Sequence, residues 1–194
     1  MTDVETVARK KCAATTREAM LIAARERFAN ENYENVGLRD VARDVGVDVA
    51  LVGRYFGSKE ELFKKALRGD EAQKFEVEGG AKNLPSYLAS LVDGKDDKVI
   101  GEHAKSLLIM LRSASSPAAA KIVREAIRED VLDPIAASLH GDCADARAGL
   151  SLAILMGTTV LRAIMGVHPL CDADRQFLDR KLPGVFKAAL SDHK

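Results

Sequence analysis

The chain has 194 residues, enough for one large domain or two small ones, and 47% of them are hydrophobic, so a single copy can bury a sizeable core. Lys+Arg and Asp+Glu number 29 each, which excludes a polyanion binder by bulk charge; residues 1–68 carry 13 basic against 11 acidic side chains, too slight an asymmetry to indicate a partner. Met1 opens a polar, charged stretch rather than a signal peptide, the apolar run Leu150 to Met165 contains Arg162 and is short for a membrane span, and three cysteines without close pairing fit a reducing compartment, so the expected location is cytoplasmic.

Helical patterning runs through the whole chain, and alternating β-branched runs are absent. Residues 1–14, with the basic cluster Arg9, Lys10 and Lys11, read as a flexible tail. Thr15-Thr16-Arg17-Glu18 has the form of a capping box, in which a hydroxyl accepts from the third backbone N–H while the glutamate reaches back. It predicts a first helix from Thr15, with Ala19, Ile22, Ala23 and Phe28 on its apolar side, ended by the polar stretch Asn30 to Val36. Leu38, Val41, Ala42 and Val45 predict a second helix, closed by Gly46. A third is expected over about Asp48 to Phe56 with Asp48 as its cap, and a fourth from the capping box Ser58-Lys59-Glu60-Glu61 to about Glu78, before Gly79-Gly80. Further helices are expected near 84–93, 97–113, 116–139, 142–166 and 172–191, with Pro134 and Pro183 kinking or breaking theirs.

Ala42, Gly46 and Val52 supply what two short helices crossing steeply require: a small residue at the contact, a glycine free to take positive φ in the turn, and an apolar anchor on the second helix. The same spacing suits an ordinary αα-corner in a helical bundle. Three features favour a DNA-binding helix-turn-helix. The unit lies near the amino terminus. Its second helix turns Val49, Ala50, Gly53 and Arg54 outward if Val52 and Phe56 face inward. And Tyr55, Ser58 and Lys59 gather where one helix ends and the next begins, a place suited to a backbone phosphate.

From Thr16 to Phe63 the chain resembles the DNA-binding domain of the TetR family of bacterial transcriptional repressors. The matching residues are Thr16-Arg17-Glu18-Ala19, Ala23-Ala24, Phe28-Ala29, Tyr33, Arg39-Asp40-Val41-Ala42, Gly46-Val47 and, above all, Tyr55-Phe56-Gly57-Ser58-Lys59-Glu60-Glu61-Leu62-Phe63. The resemblance implies an all-α protein, with a three-helix DNA-binding domain over 15–63 and a helical ligand-binding and dimerisation domain over 64–194. It implies phosphate contacts for Tyr55 and Lys59, phosphate or base-edge contacts for Arg39 and Arg54, and a base-facing helix start at Val49, Ala50 and Leu51. Gly37 occupies a usual contact position, but Val36-Gly37 stands where the family usually has a hydroxyl pair. Asp48 replaces a common Ser, Leu51 a frequent Thr and Gly53 a frequent Tyr.

The resemblance also implies a homodimer through the last two helices, Ala144–Gly166 and Asp172–Leu190, placing two recognition helices about 34–36 Å apart on a pseudo-palindromic double-stranded operator. It further implies an apolar effector pocket, for which the candidates are His103, Leu107, Met110, Leu111 and Met156, together with Leu108, Arg112 and Met165. The expected function is thus a ligand-responsive regulator, a repressor released from DNA by a small apolar molecule. An enzyme is disfavoured: the chain has no phosphate loop, nucleophile motif or metal-ligand spacing, and His168 and Cys171 are too few for a metal site, so no cofactor or metal is expected. The alternative is a helical interaction module that has lost specific DNA binding, motivated by the departures at Val36-Gly37, Leu51 and Gly53.

Overall fold

Good helix formers without Gly or Pro fill residues 3–30, and that composition decides the first element. A computed structural model of the chain describes residues 3–69, 82–93, 97–167 and 175–192, and every regular element in them is helical. The first helix, α1, runs Asp3–Asn30. It therefore begins well before Thr15, and the segment expected to be a tail continues the helix. The supposed capping residues Thr15 and Thr16 lie within it, because nothing upstream breaks the helix. Its buried face is Met20, Leu21, Ala24 and Phe28; Phe28 is buried as expected, whereas Ile22 is 51% exposed and the stripe before Phe28 sits one position away from the expected one.

A short 3-10 turn, Tyr33–Asn35, leads to α2 (Leu38–Val45), α3 (Val49–Phe56) and α4 (Lys59–Arg68). Then come α5 (Leu84–Asp93), α6 (Asp97–Ser113), α7 (Pro117–Ile127), α8 (Asp133–Ser138), α9 (Ala144–Thr159) and α10 (Arg175–Leu190). The fourth helix closes at Arg68 rather than near Glu78, where Gly69 adopts a φ of 76° that ordinary side chains avoid. The stop expected at Gly79-Gly80 lies outside the described residues. Neither proline breaks its helix. Pro134 follows a π-helical stretch, Arg128–Leu132, whose changed bonding register accommodates the missing N–H, and Pro183 sits inside α10. A second π-helical stretch, Val160–Ile164, prolongs α9.

The chain divides into two units, Met1–Ala72 with Leu108–Val123, and Gln73–Leu107 with Arg124–Lys194. The end of α6 and the start of α7 thus belong with the amino-terminal helices. In the first unit α1 packs on α2 and α4, and α2 crosses α3. An aromatic cluster holds its centre: the Phe63 ring meets Phe28 and Tyr33 edge-on, each 4.9 Å between centroids. The Tyr33 hydroxyl is pushed up to about 12, by burial first and then by the charges of Glu60 and Glu34. Arg25, buried beneath this layer, donates to the Ala66 carbonyl. Ser116 Oγ donates to Glu34 Oε1 at 2.5 Å, and Arg112 Nη1 to the Asn30 carbonyl at 3.3 Å, both tying 108–123 to the turn after α1.

Arg27 grips Asp44 with two parallel bonds, Nε to Oδ2 at 2.5 Å and Nη2 to Oδ1 at 2.8 Å, fixing α1 against the end of α2. That hydrogen bond, and then the guanidinium charge, hold the Asp44 carboxyl below its ordinary value; Asp40 is held down by the Gly37 backbone N–H first. A carboxyl whose folded pKa is depressed stabilises the fold fully above the unfolded value and loses that contribution as pH falls through the folded one. The melting temperature is therefore expected to fall as pH drops below about 4. Asp44→Asn should show a lower plateau at neutral pH and a shallower acid decline, which circular-dichroism melts across pH would register. Equal acid slopes for the two proteins would remove Asp44 from the account.

The second unit packs α10 on α5 and α9 around Leu84, Leu88, Ile135, Ala148, Leu182 and Phe186. Arg162 Nη1 donates to the Val92 carbonyl at 2.5 Å, and Arg147 holds the Leu190 and His140 carbonyls at 2.9 and 2.7 Å. The continuous helix Ala144–Ile164 is long and apolar enough by itself to cross a membrane, and few of its side chains lie in the core.

Candidate nucleic-acid interface

Local chemistry builds the reading head one cap at a time. Gly37 is the N-cap of α2 and has no hydroxyl to offer; instead its N–H donates to Asp40 Oδ2 at 2.9 Å, and Arg43 pairs with Asp40 at 2.8 Å. The carboxylate thus supplies the reciprocal half of a capping box, while the Asp40 N–H, which a capping hydroxyl would have taken, returns to the Gly37 carbonyl at 3.1 Å. An Asp three residues after a glycine was the sequence signal for it. Gly46 closes α2 in the left-handed region at φ 71°, a value that a side chain would strain. Val47 N–H reaches back to Ala42 O at 3.0 Å, which aims the chain into α3.

Asp48 caps α3, its Oδ1 accepting from the Ala50 N–H at 2.7 Å. Val52 and Phe56 are buried, so the opposite side of α3 faces solvent. Ala50 and Arg54, four residues apart, lie along the middle of that side and are exposed. Val49 is 38% exposed, and Leu51 and Gly53 flank them half-buried. Nothing lies within 4 Å of where a Gly53 side chain would begin. Tyr55 is half-buried on the flank.

Gly57 turns the corner at φ 78°, and its N–H returns to Gly53 O at 2.7 Å. Ser58 then caps α4 by accepting from Glu61 N–H at 3.2 Å, as its sequence predicts. The Glu61 side chain does not reach back but pairs with Lys64 at 3.5 Å; the Glu60 carboxyl takes the inner place, held below its ordinary value first by its own backbone N–H and then by the Ser58 hydroxyl. Lys59 is the first residue of α4, its Nζ 4.2 Å from the centre of the Tyr33 ring and 3.3 Å from the Glu34 carbonyl. The ammonium is positioned by neutral groups and forms no ion pair among the described residues, although its charge helps to hold the neighbouring Glu60 carboxyl down.

The cations around this surface divide into two groups. Arg27 and Arg43 are spent on Asp44, Glu31 and Asp40. Arg39 and Arg54 are exposed and, among the described residues, make no hydrogen bond or ion pair. The structure thus brings Gly37, Arg39, Val49, Ala50, Leu51, Gly53, Arg54, Tyr55 and Lys59 into one helix-turn-helix unit around α3. Sequence reasoning missed Asp40, Arg27–Asp44 and Ser116–Glu34; the last two join residues too far apart in sequence for local patterning to show.

The candidate effector residues are less coherent. His103, Leu107, Met110 and Leu111 share α6, but His103 and Leu111 are exposed, Leu107 is buried and Met110 half-buried. Leu107 belongs to the second unit, whereas Met110 and Leu111 belong to the first. Met156 is half-buried on α9, Met165 is exposed, and Arg112 is committed to Asn30. Among the described residues no group of three His, Cys, Asp or Glu side chains is placed to hold a metal, and His168 and Cys171 lie outside them.

Residues 21–66 match the family model described as bacterial regulatory proteins, tetR family, and residues 95–189 match a tetracyclin repressor-like C-terminal domain. The HTH-type transcriptional regulator BetI of Agrobacterium fabrum is 38% identical over 52 residues, which span 27% of this chain and 25% of that protein. The crystal structure of native NalD from Pseudomonas aeruginosa, described as the secondary repressor of a multidrug efflux pump, superposes with a TM-score of 0.65 at 20% identity, covering 88% of this chain and 96% of that one. A TetR-family regulator from Streptomyces coelicolor is 27% identical, covers 91% of this chain and 95% of its own, and gives a TM-score of 0.49.

Proposed function

Because this chain belongs to the tetR family of bacterial regulatory proteins, both of its halves matching models of that family, we propose that it is a ligand-responsive DNA-binding regulator of transcription, a repressor acting as a homodimer on a pseudo-palindromic operator. One observation carries the DNA reading: Arg54 on the solvent-facing side of the capped α3 and Arg39 on α2 are exposed and make no hydrogen bond or ion pair among the described residues, with the Lys59 ammonium pre-positioned at the start of α4. Gly37, Arg39, Tyr55 and Lys59 would set the register on phosphates, and Val49, Ala50, Leu51, Gly53 and Arg54 would face the bases.

The dimer reading rests on apolar side chains left outside the second unit's core. Leu150 and Leu161 on and just beyond α9, and Phe177 and Val185 on α10, are 39 to 54% exposed. Two such helices from each copy would cover one another and set the spacing of the paired reading heads. Release by a small apolar effector follows if that molecule binds better to a dimer whose reading heads are mis-spaced, with His103, Leu107, Met110, Leu111 and Met156 as candidate contacts.

The test is binding of the purified chain to duplexes from upstream of its own gene at two salt concentrations. Specific binding that weakens steeply with salt is expected. No binding to any fragment at low salt, without effector, would sink the proposal and favour an interaction module.

A further inference from the structure

The solvent-facing side of α3 contains almost nothing that can make a hydrogen bond. Val49, Ala50 and Leu51 carry hydrocarbon only, and Gly53 has no side chain. Asp48 Oδ1 is occupied by the Ala50 N–H at 2.7 Å. Arg54 is the exception, exposed and without a partner among the described residues. In the major groove, hydrocarbon can select one feature, the C5 methyl of a pyrimidine; an arginine fork selects the O6 and N7 of guanine. The open space beyond Gly53 leaves room for the backbone to approach, bringing the short Ala50 side chain and Leu51 to the base edges.

Resting on the DNA-binding reading above, we propose that Ala50 and Leu51 read a pyrimidine C5 methyl while Arg54 reads a guanine, and that these two determinants fix the sequence choice of each half-site. The spacing is set by the helix. Ala50 and Arg54 are separated by four residues, about 6 Å of rise, which is roughly two base-pair steps of ~3.4 Å. The methyl-bearing base and the guanine therefore fall within about three base pairs of each other. Thymine and 5-methylcytosine both carry this methyl, so the shared chemistry is the methyl itself.

The experiment uses the full chain and reads the methyl by altering the DNA alone, so that no folding defect can imitate that penalty; the two protein variants serve only to assign it and are first shown to keep the parent's circular-dichroism melt. Duplexes are selected from a random pool, and the guanine is located as the position whose preference disappears with Arg54→Ala. Each thymine within three base pairs is then replaced by uracil, which removes one methyl and nothing else. Binding is expected to weaken about fourfold at one or two positions per half-site, the worth of one buried methyl. Leu51→Ala should shrink that penalty towards none, by which the methyl is assigned to this side chain rather than to DNA shape. If instead the selected site carries cytosine there and binds about fourfold more tightly once that cytosine is 5-methylated, the source is modified DNA. Unchanged affinity on every uracil substitution, with no gain from 5-methylcytosine, overturns the inference while leaving DNA binding intact. Failure to select any duplex overturns the DNA-binding reading, and the inference falls with it.

Discussion

Phe63→Ala is expected to cost about 3–5 kcal/mol and to unfold the amino-terminal unit at temperatures the parent tolerates. Phe63 is wholly buried and lies edge-on to both Phe28 and Tyr33. Alanine would remove the ring and its paired quadrupole contacts together. The void would lie between α1, α4 and the turn at Tyr33, elements each held by separate caps and pairings, which limits collapse into it. Denaturant unfolding followed by circular dichroism measures the loss. A change below about 0.5 kcal/mol, the scale of an ordinary surface substitution, would show that the three rings are not the unit's centre. Tyr33 links this core to the proposed phosphate contact, because the face of the same ring supports the Lys59 ammonium.

Arg54→Ala and Lys59→Ala are expected to damage DNA binding in different ways. Arg54 is the sole hydrogen-bonding side chain on the middle of the exposed side of α3, so its loss should relax discrimination at one base pair by about 1–3 kcal/mol. Lys59 sits at a helix start, where its ammonium and the positive end of the helix dipole favour an anion. Its loss should weaken every duplex to a similar degree and lower the salt slope by about 0.9 for each contact removed. Fluorescence anisotropy on matched and mismatched duplexes at several salt concentrations separates the two. If Lys59→Ala changes which base is preferred while Arg54→Ala acts on all sequences alike, the two roles are reversed.

The reading head was legible in the sequence because its determinants are local. Asp48, Ser58 and Gly46 act within three or four residues of themselves, and the inward pair Val52 and Phe56 sets the face of α3 by helical spacing alone. Features that depend on distant partners were not legible. Thr15 has the chemistry of a cap, but a helix already running from Asp3 leaves it no helix end to cap. Ile22 belongs to the apolar pattern, yet tertiary packing selects Met20 and Leu21. Two carboxylates to which local patterning assigns no partner, Asp44 and Glu34, are taken by Arg27 and Ser116 from other elements. The covering of the effector candidates was illegible for the same reason: whether Leu107 or Leu111 of one helix is buried depends on neighbours that the pattern does not name.

Gly53 gives this surface an evolutionary direction. A glycine inside a helix costs about 1 kcal/mol relative to alanine, and the space beyond this one is empty. Nearly any single codon change there would stabilise α3 and add a side chain to the groove-facing surface in the same step. Stability and target narrowing thus point the same way, so new operator preferences lie one substitution away and carry no folding penalty. A chain that retains the glycine gives up helix stability, which its neighbours Asp48 and Gly57 help to offset by fixing both ends of α3.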